Sequence, residues 1–494
     1  MTSHEFQSIA ESIERELTEQ ALPSLAVAAA RDGEIVWEGA FGWADRENRI
    51  RATPHTPYSL ASISKPITTT ALMMLVEQGK IDLDKPANSY LGDAKLKAVE
   101  GSADDATIRR VANHTSGLPL HYQFFYADEP YVRPPMDETI RRYGNLVRIP
   151  GERVQYSNLG YGVLDYIISR ISSRSYANYL REAVFVPLGM FRSSVDLTPE
   201  LAPYQAIRYG GDSARYPFYD FDHPGGSAIY ASAHDLVRFG MLHAGSLMRD
   251  QKQILSAEAL ETMQVPTSQT STPSPGDGAG FGVGWHSDTD DEGVRLISHS
   301  GGMGGVTTTL IIVPQFRVVI AALANAACGV PHRTAEEILA LLLPEFTARR
   351  KAARDARSAE QEKQRAAHAK VVFKPGKELT GEWKGTVETY NGSLPLALRI
   401  KSSGDVHVQL GAQLKALLND AKFRDGELKG VFAGDIGTDD AGRRPYRLHL
   451  DLKLRDDILN GCVIAVTHIE QGEGGAQGRR TGNALSYVAE LKRG

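Results

Sequence analysis

A change of composition between residues 348 and 370 limits most strongly how this chain can fold. There Arg349, Arg350, Lys351, Arg354, Arg357, Glu360, Glu362, Lys363 and Arg365 crowd into a stretch that holds no apolar residue larger than alanine. Such a stretch has no stripe to bury, so it reads as a solvated helical spacer. Before it, helical and strand patterns mix; after it, short alternating segments follow one another. The chain therefore divides into residues 1–347, a linker at 348–370 and residues 371–494. At roughly 150 residues per domain, 494 residues are more than one small module. A basic nucleic-acid arm is the weaker reading of the linker, because acids are interleaved in it and the whole chain carries a net charge of −5.

In the first part, Phe6, Ile9, Ala10, Ile13 and Leu17 recur at helical spacing behind Ser3, a good N-cap, which predicts an amphipathic helix packed on a sheet. Residues 24–30 and 34–41 flank Arg31-Asp32-Gly33, and Asp-Gly supplies the positive φ of a tight hairpin. Residues 66–79 predict a helix with Ile67, Ala71, Met74 and Leu75 on one side and Gly79 as its stop; residues 159–171 predict another. Residues 305–313 and 317–325, separated by Pro314-Gln315-Phe316, read as a second hairpin of buried strands. The expected fold is α+β, an antiparallel sheet flanked by helices that takes strands from both ends of this part. Residues 379–389, 394–400, 406–410, 427–433, 446–454 and 459–467 alternate like strands. They predict an all-β domain of about eight strands, a small closed or half-closed barrel of the lipocalin type.

Composition removes several function classes. With 55 Lys+Arg against 60 Asp+Glu, nothing advertises a nucleic-acid or anionic-membrane partner. Cys328 and Cys462 lie far apart, so they suggest two small buried thiols, not a disulfide framework or a cysteine zinc site. Glu5, Glu11, Glu14, Arg15, Glu16 and Glu19 interrupt the apolar run that a signal peptide needs, and no later stretch is long and apolar enough to span a membrane. A cytoplasmic protein is expected.

Three short segments carry chemistry. In Ser62-Ile63-Ser64-Lys65, Lys65 stands one helical turn from Ser62, and an amine whose pKa is lowered by burial can take a serine proton. A capping serine with a surface lysine is the bland alternative. Tyr156-Ser157-Asn158 precedes a helix in a loop, where a phenol serves as base and then acid and Asn158 holds Lys65 or a substrate carbonyl; a core tyrosine and a turn asparagine are the alternative. His299-Ser300-Gly301-Gly302 borders a strand edge where backbone approaches something closely, and the N–H groups of Ser62 and Gly302 would suit an oxyanion hole; a flexible loop with an ordinary histidine is the alternative. His114 reads as a loop histidine tying down a turn. The glycines of residues 279–285 have the wrong spacing for a dinucleotide site and fit a strand near the active site. The chain has neither a G-x-S-x-G elbow nor H-E-x-x-H.

The ordered triple resembles the class C β-lactamase and penicillin-binding-protein-like serine hydrolases, including their family VIII esterase and D-aminopeptidase-like branch. The resemblance rests on Tyr58-Ser59-Leu60-Ala61-Ser62-Ile63-Ser64-Lys65-Pro66, His114-Thr115-Ser116-Gly117-Leu118-Pro119, Tyr156-Ser157-Asn158-Leu159-Gly160-Tyr161, Pro187-Leu188-Gly189-Met190 and Gly225-Gly226-Ser227-Ala228. It covers roughly residues 10–345. It implies a β-lactamase-like catalytic domain in which Ser62 attacks an ester, amide or lactam carbonyl. Lys65 and Tyr156 would share the proton transfers, Asn158, His299, Gly301 and Gly302 would hold the substrate or its oxyanion, and neither metal nor other cofactor would be needed. Which of Lys65 and Tyr156 is the acylation base stays open. Where β-lactamases usually carry Lys-Thr-Gly, this chain has His299-Ser300-Gly301, and a histidine is only partly charged near neutral pH. That departure favours an esterase or D-aminopeptidase-type hydrolase of small ester, amide or peptide substrates. A β-lactamase or D-alanyl-D-alanine carboxypeptidase comes second and a catalytically silent binding protein third. A homo-oligomer is compatible with all three.

Overall fold

A computed structural model describes residues 5–211, 213–269, 279–368, 373–467 and 481–494. The strand Ser24–Arg31 turns through Asp32 and Gly33, both at positive φ, into Glu34–Asp45. On its other side it pairs antiparallel with Val318–Ala324, which follows Val306–Val313 and Arg295–Met303 in order. The expected joining of strands from the two ends of this part is therefore present, in a nine-stranded antiparallel sheet.

Both faces of the sheet are covered. Leu25, Val27, Ala29, Val318 and Ile320 face the helices Gln7–Glu19 and Val330–Leu342. Ala26, Ala28, Ala30, Val319 and Ala321 face the other way, toward the helix Ala233–His243 and the core that also holds Leu60, Ile63 and Ile67. Ser3, the expected N-cap, lies outside the described residues; the cap position of the first helix is held by Phe6, stacked on Trp37 with ring centroids 4.9 Å apart. The helix predicted at 66–79 runs Ser64–Glu77, and Gly79 has φ +66°. It is not one-sided: Ser64 to Met73 are all buried, as a helix at the centre of a two-layer domain must be.

The charged segment is a helix, Pro344–His368, with Ala369 and Lys370 outside the described residues. It starts before the expected boundary, and its first turns dock on the sheet. Phe346 is buried, Arg349 reaches Asp290 and Glu292 at 3.2 and 3.0 Å, and Arg350 reaches Asp288 at 2.8 Å. A purely solvated spacer is thus a correction to make for these turns: paired acids on the sheet edge give its arginines partners that composition does not reveal.

Among its described residues the second part is a nine-stranded antiparallel sheet in up-and-down order. All six expected strands are present, joined by Ala416–Leu417, Asn419–Arg424 and Ala484–Arg493. The first two of these are the edges of the sheet and are separated by Leu418 alone, so the sheet curls into a near-closed barrel. Trp383, Leu398, Val408, Leu428, Leu450, Leu459 and Leu491 are among the buried side chains that fill it. The barrel is bound to the first part by a polar seam. Arg148 reaches Asp451 at 2.5 Å, Tyr143 Oη donates to Asp440 at 2.7 Å, and Tyr122 pairs with Ala484 through both backbone groups at 3.0 and 2.9 Å. Cys462 is buried, Cys328 is half-buried, and both are free. Among the described residues no helix is long and apolar enough to cross a membrane.

Candidate active site

Ser62 owes its position to a strained turn. The strand Tyr58–Ser59 pairs with Ile229–Ala231, and then Ala61, at φ +48°, swings the chain into a short 3₁₀ turn that leads the helix Ser64–Glu77. An alanine with positive φ costs about 1 kcal/mol, and such strain persists only where packing holds it. Here Thr308 Oγ1 donates to Leu60 O at 2.9 Å and fastens the turn to the sheet. Ser62 is half-buried, between the buried Ala61 and Ile63 in the chain.

Lys65 is fully buried. Its Nζ lies 3.1 Å from Ser62 Oγ, 2.8 Å from Asn158 Oδ1 and 3.0 Å from Gly226 O. Burial, with no carboxylate to offset it, drives the Lys65 pKa well below the usual lysine value. A neutral amine has two N–H bonds and one lone pair. Asn158 Oδ1 and Gly226 O can accept only, so they take the two N–H bonds, and the lone pair is left for the Ser62 proton.

Tyr156 stands where the loop enters the helix Asn158–Ser172, whose N-cap Ser157 accepts from Gly160 N at 3.2 Å. Asn158 is the first residue of that helix and not part of the loop. Burial raises the Tyr156 pKa to about 12, and the neighbouring Ser62 hydroxyl offsets this in part. The ring is held by His114, 4.3 Å between centroids, and by Phe281 at 6.5 Å. His114 has φ +64°, accepts from Ser157 N at 3.3 Å on Nδ1, and is kept neutral by burial and then by the nearby Lys65. It ties down a turn as expected, and it also forms a wall for Tyr156.

His299, Gly301 and Gly302 lie on Arg295–Met303. A Cβ on Gly301 would sit 2.2 Å from Leu60 O and 3.0 Å from Ala61 Cβ, so the strand touches the nucleophile turn there. Gly302 faces open space. Because Gly304–Gly305 closes a two-residue hairpin, bonded and unbonded pairs alternate from Met303–Val306 onward, and the N–H of Gly302 points away from Val306–Val313. On that side the next strand, His286–Thr289, has already ended opposite Ser298. His299 is buried, donates from Nδ1 to Ser300 O at 2.9 Å, and is pushed down to about 3 by burial and then by Lys65. It is therefore neutral at physiological pH and supplies no fixed cation.

Sequence reasoning missed the Gly226 carbonyl, although Gly225-Gly226 was visible as a marked pair. It also missed a buried network beside it: Asp222 joins His121 Nε2 at 2.7 Å and His223 Nδ1 at 2.6 Å, and His223 Nε2 lies 3.2 Å from Ser227 Oγ. The barrel reaches the site too, since Gly304 N donates to Thr481 Oγ1 at 3.1 Å. Around the site the aromatics pack mainly on one another: Phe124–Tyr126 pairs with Tyr219–Phe221 and Tyr209 is fully buried, while Tyr131 and Phe218 are exposed.

A sequence profile of the Beta-lactamase family matches residues 9–345. The chain is 28% identical to Penicillin-binding protein 4* of Bacillus subtilis (strain 168), over 60% of this chain and 67% of that one. It is 24% identical to protein flp of Staphylococcus aureus (strain N315), over 66% of this chain and 64% of that one. It thus spans about two thirds of the length of these curated relatives. A solved structure, the octameric penicillin-binding protein homologue from Pyrococcus abyssi, superposes with a TM-score of 0.60 at 22% identity, covering 97% of this chain and 99% of that one, so the likeness of fold runs through the barrel. With a profile match that takes in more than half of its length, and with the nucleophile helix, tyrosine loop and third strand in that family's order, this chain belongs to the β-lactamase and penicillin-binding-protein-like serine hydrolase superfamily.

Proposed function

We propose that this chain is a serine hydrolase that works through an acyl-enzyme on Ser62. The observation that carries the proposal is the buried Lys65 amine, with two acceptors fixing its N–H bonds and Ser62 Oγ at 3.1 Å on its third side. Lys65 takes the Ser62 proton as Oγ attacks the carbonyl carbon. The oxyanion is met by the N–H groups of Ser62 and Gly302, and Tyr156 gives a proton to the leaving oxygen or nitrogen. Tyr156 is suited to this step because burial keeps it protonated. Once Lys65 has passed its proton back to Tyr156, water attacks the ester on Ser62 and loses a proton to the Lys65–Tyr156 pair; the acyl–Oγ bond then breaks, Ser62 Oγ takes a proton from that pair, and the free acid leaves.

For the substrate, the names of the relatives speak of penicillin binding, which supports a β-lactam or a D-alanyl-D-alanine peptide as acyl donor here. From the sequence alone that reading stands second. The esterase or D-aminopeptidase-type reading keeps one specific support: His299 is neutral where that side of the superfamily usually places a lysine for the substrate carboxylate. Intact-protein mass spectrometry of wild type and Ser62→Ala after mixing with penicillin, a D-alanyl-D-alanine peptide, p-nitrophenyl esters and D-aminoacyl p-nitroanilides decides between them. An adduct or turnover confined to wild type supports Ser62 as nucleophile, and the best substrate names the class. Equal labelling of both proteins, or no adduct and no turnover with any member, would remove the proposal.

The up-and-down strand order supports a lipocalin-type barrel, and the Thr481 contact to Gly304 supports a part for it in shaping the cleft. Thr481→Val is expected to lower kcat/KM by only a few-fold, measured on the best substrate. That the Pyrococcus abyssi homologue is octameric supports self-association here, which light scattering on the purified chain checks.

A further inference from the structure

We propose that Glu38, His55 and His234 form a binding site for one divalent transition-metal ion of the zinc type, distinct from the Ser62 centre. One ligand atom from each of the three side chains lies within 4.8 Å of the others. His234 Nδ1 and Glu38 Oε2 are already 3.0 Å apart. Two ligands on a tetrahedral ion, with bonds of about 2.0–2.1 Å, stand about 3.3 Å from each other, so this pair needs almost no rearrangement. The His55 and His234 rings are in contact, with centroids 4.4 Å apart, and a small turn of the exposed His55 ring completes the set.

The three side chains come from three elements, each fixed by its backbone. Glu38 lies on the strand Glu34–Asp45, opposite Ala28 and on the sheet face that meets the helix Ala233–His243. His234 is in the first turn of that helix, behind the N-cap Ser232. His55 sits in the turn Thr53–Thr56, where Thr56 N donates to Thr53 O at 3.0 Å and His55 N to Thr53 Oγ1 at 3.3 Å. Turn and helix are joined directly, because His234 N donates to Pro54 O at 3.2 Å. Convergence of two imidazoles and a carboxylate on one point is thus built into the fold and does not depend on chance meetings of long side chains.

The donor set defines the ion. Two imidazoles and one carboxylate suit zinc, cobalt or nickel and are poor ligands for calcium or magnesium, which prefer all-oxygen shells. Three protein ligands leave a fourth position for water. Arg238, one helical turn after His234, is already paired to Asp250 at 2.6 Å.

The place in the fold gives such an ion a purpose. His55 lies three residues before the strand Tyr58–Ser59, and His234 three residues after its partner strand Ile229–Ala231. The far ends of these strands lead to Ala61-Ser62 and come from Gly226, whose carbonyl holds Lys65. An ion here would clamp one end of the two-strand rung that carries the catalytic groups at the other.

The test uses the full-length, untagged chain, stripped with a chelator and dialysed. Zn²⁺ is titrated against a chromophoric competitor, Co²⁺ is followed by its visible absorption, and the thermal midpoint is read with and without Zn²⁺. The wild type is expected to take up one equivalent, show a four-coordinate Co²⁺ spectrum and gain in midpoint. Glu38→Ala, His55→Ala and His234→Ala are each expected to weaken binding at least tenfold and to lose the gain, with circular dichroism confirming that they fold. The more conservative His234→Gln repeats the test should the alanine variant fail to fold. Absence of stoichiometric binding by wild type, or uptake unchanged in all the variants, overturns the site.

Discussion

Two hydroxyl-and-base clusters lie side by side in this protein, and they differ in what surrounds them. Ser227, His223 and Asp222 have the bonding order of a charge-relay triad, with 3.2 Å and 2.6 Å links, yet all three are buried and Asp222 is shared with His121. Ser62, Lys65 and Tyr156 have no carboxylate, but Ser62 is half-exposed, at a strained turn beside a strand whose N–H groups have run past their neighbour. A nucleophile needs a base, a route in for the carbonyl and a place for the oxyanion; the Ser227 cluster has only the first. Its work is structural, since it braces the segment whose Gly226 carbonyl holds Lys65.

The largest expected effect tests this ranking head on. Ser62→Ala should lower kcat by about 10⁴-fold or more, while Ser227→Ala stays within about tenfold of wild type, both read on the best substrate of the panel. The reverse order would transfer catalysis to the buried cluster. Next in size, Lys65→Met should lower kcat/KM by about 10³-fold, as loss of a general base does. The same variant carries a stability signature. The folded pKa of Lys65 is below its unfolded value, so between the two the unfolded chain binds more protons and wild-type stability rises with pH. Lys65→Met should therefore melt above wild type at neutral pH, and its advantage should shrink toward pH 10. In wild type, kcat/KM should fall on the acidic side as Lys65 gains its proton.

The contrast sharpens further at Asp222. Burial pushes its carboxyl up, but His121 and His223 together hold it below the usual range. Asp222→Asn should cost about 2–3 kcal/mol at pH 7, the value of hydrogen bonds to a charged group, by denaturant unfolding. Because the folded pKa is depressed, that contribution is present above the unfolded value near ~3.9 and is lost as pH falls, so wild type and variant should converge in acid. Smallest is the pair of glycines. Gly301→Ala should destabilise by about 1–3 kcal/mol, since its Cβ would meet Leu60 O and Thr308 Oγ1 at 2.2 and 2.3 Å. Gly302→Ala, facing open space, should change stability by less than about 0.5 kcal/mol and leave turnover intact.

Much of this was legible in local sequence. Asp32-Gly33 announced its hairpin because few residues adopt positive φ, and Ser62 to Lys65 announced one turn of helix because spacing of three is local geometry. The outer strands of the barrel were harder. Asn419–Arg424 alternates with charged and exposed residues, and Ala416–Leu417 is only two residues long, so neither shows a buried period. The docked arginines of Pro344–His368 were read as solvated because their partners, Asp288 and Asp290, lie some 60 residues away in the chain.

What the sequence by itself determined is the set of groups whose relation is written into one turn or one strand: the hydroxyl one helical turn from the amine, the Asp32-Gly33 hairpin, and the alternating strands of the C-terminal sheet. What only the tertiary structure decided is the state of those groups. Lys65 is an ordinary lysine in the sequence; its proton affinity falls because it is buried with Asn158 and Gly226, 93 and 161 residues away, taking its N–H bonds. Likewise His299 is neutral because burial beside Lys65 makes it so. Proton affinity depends on the whole surroundings of a group, and those surroundings are assembled by folding.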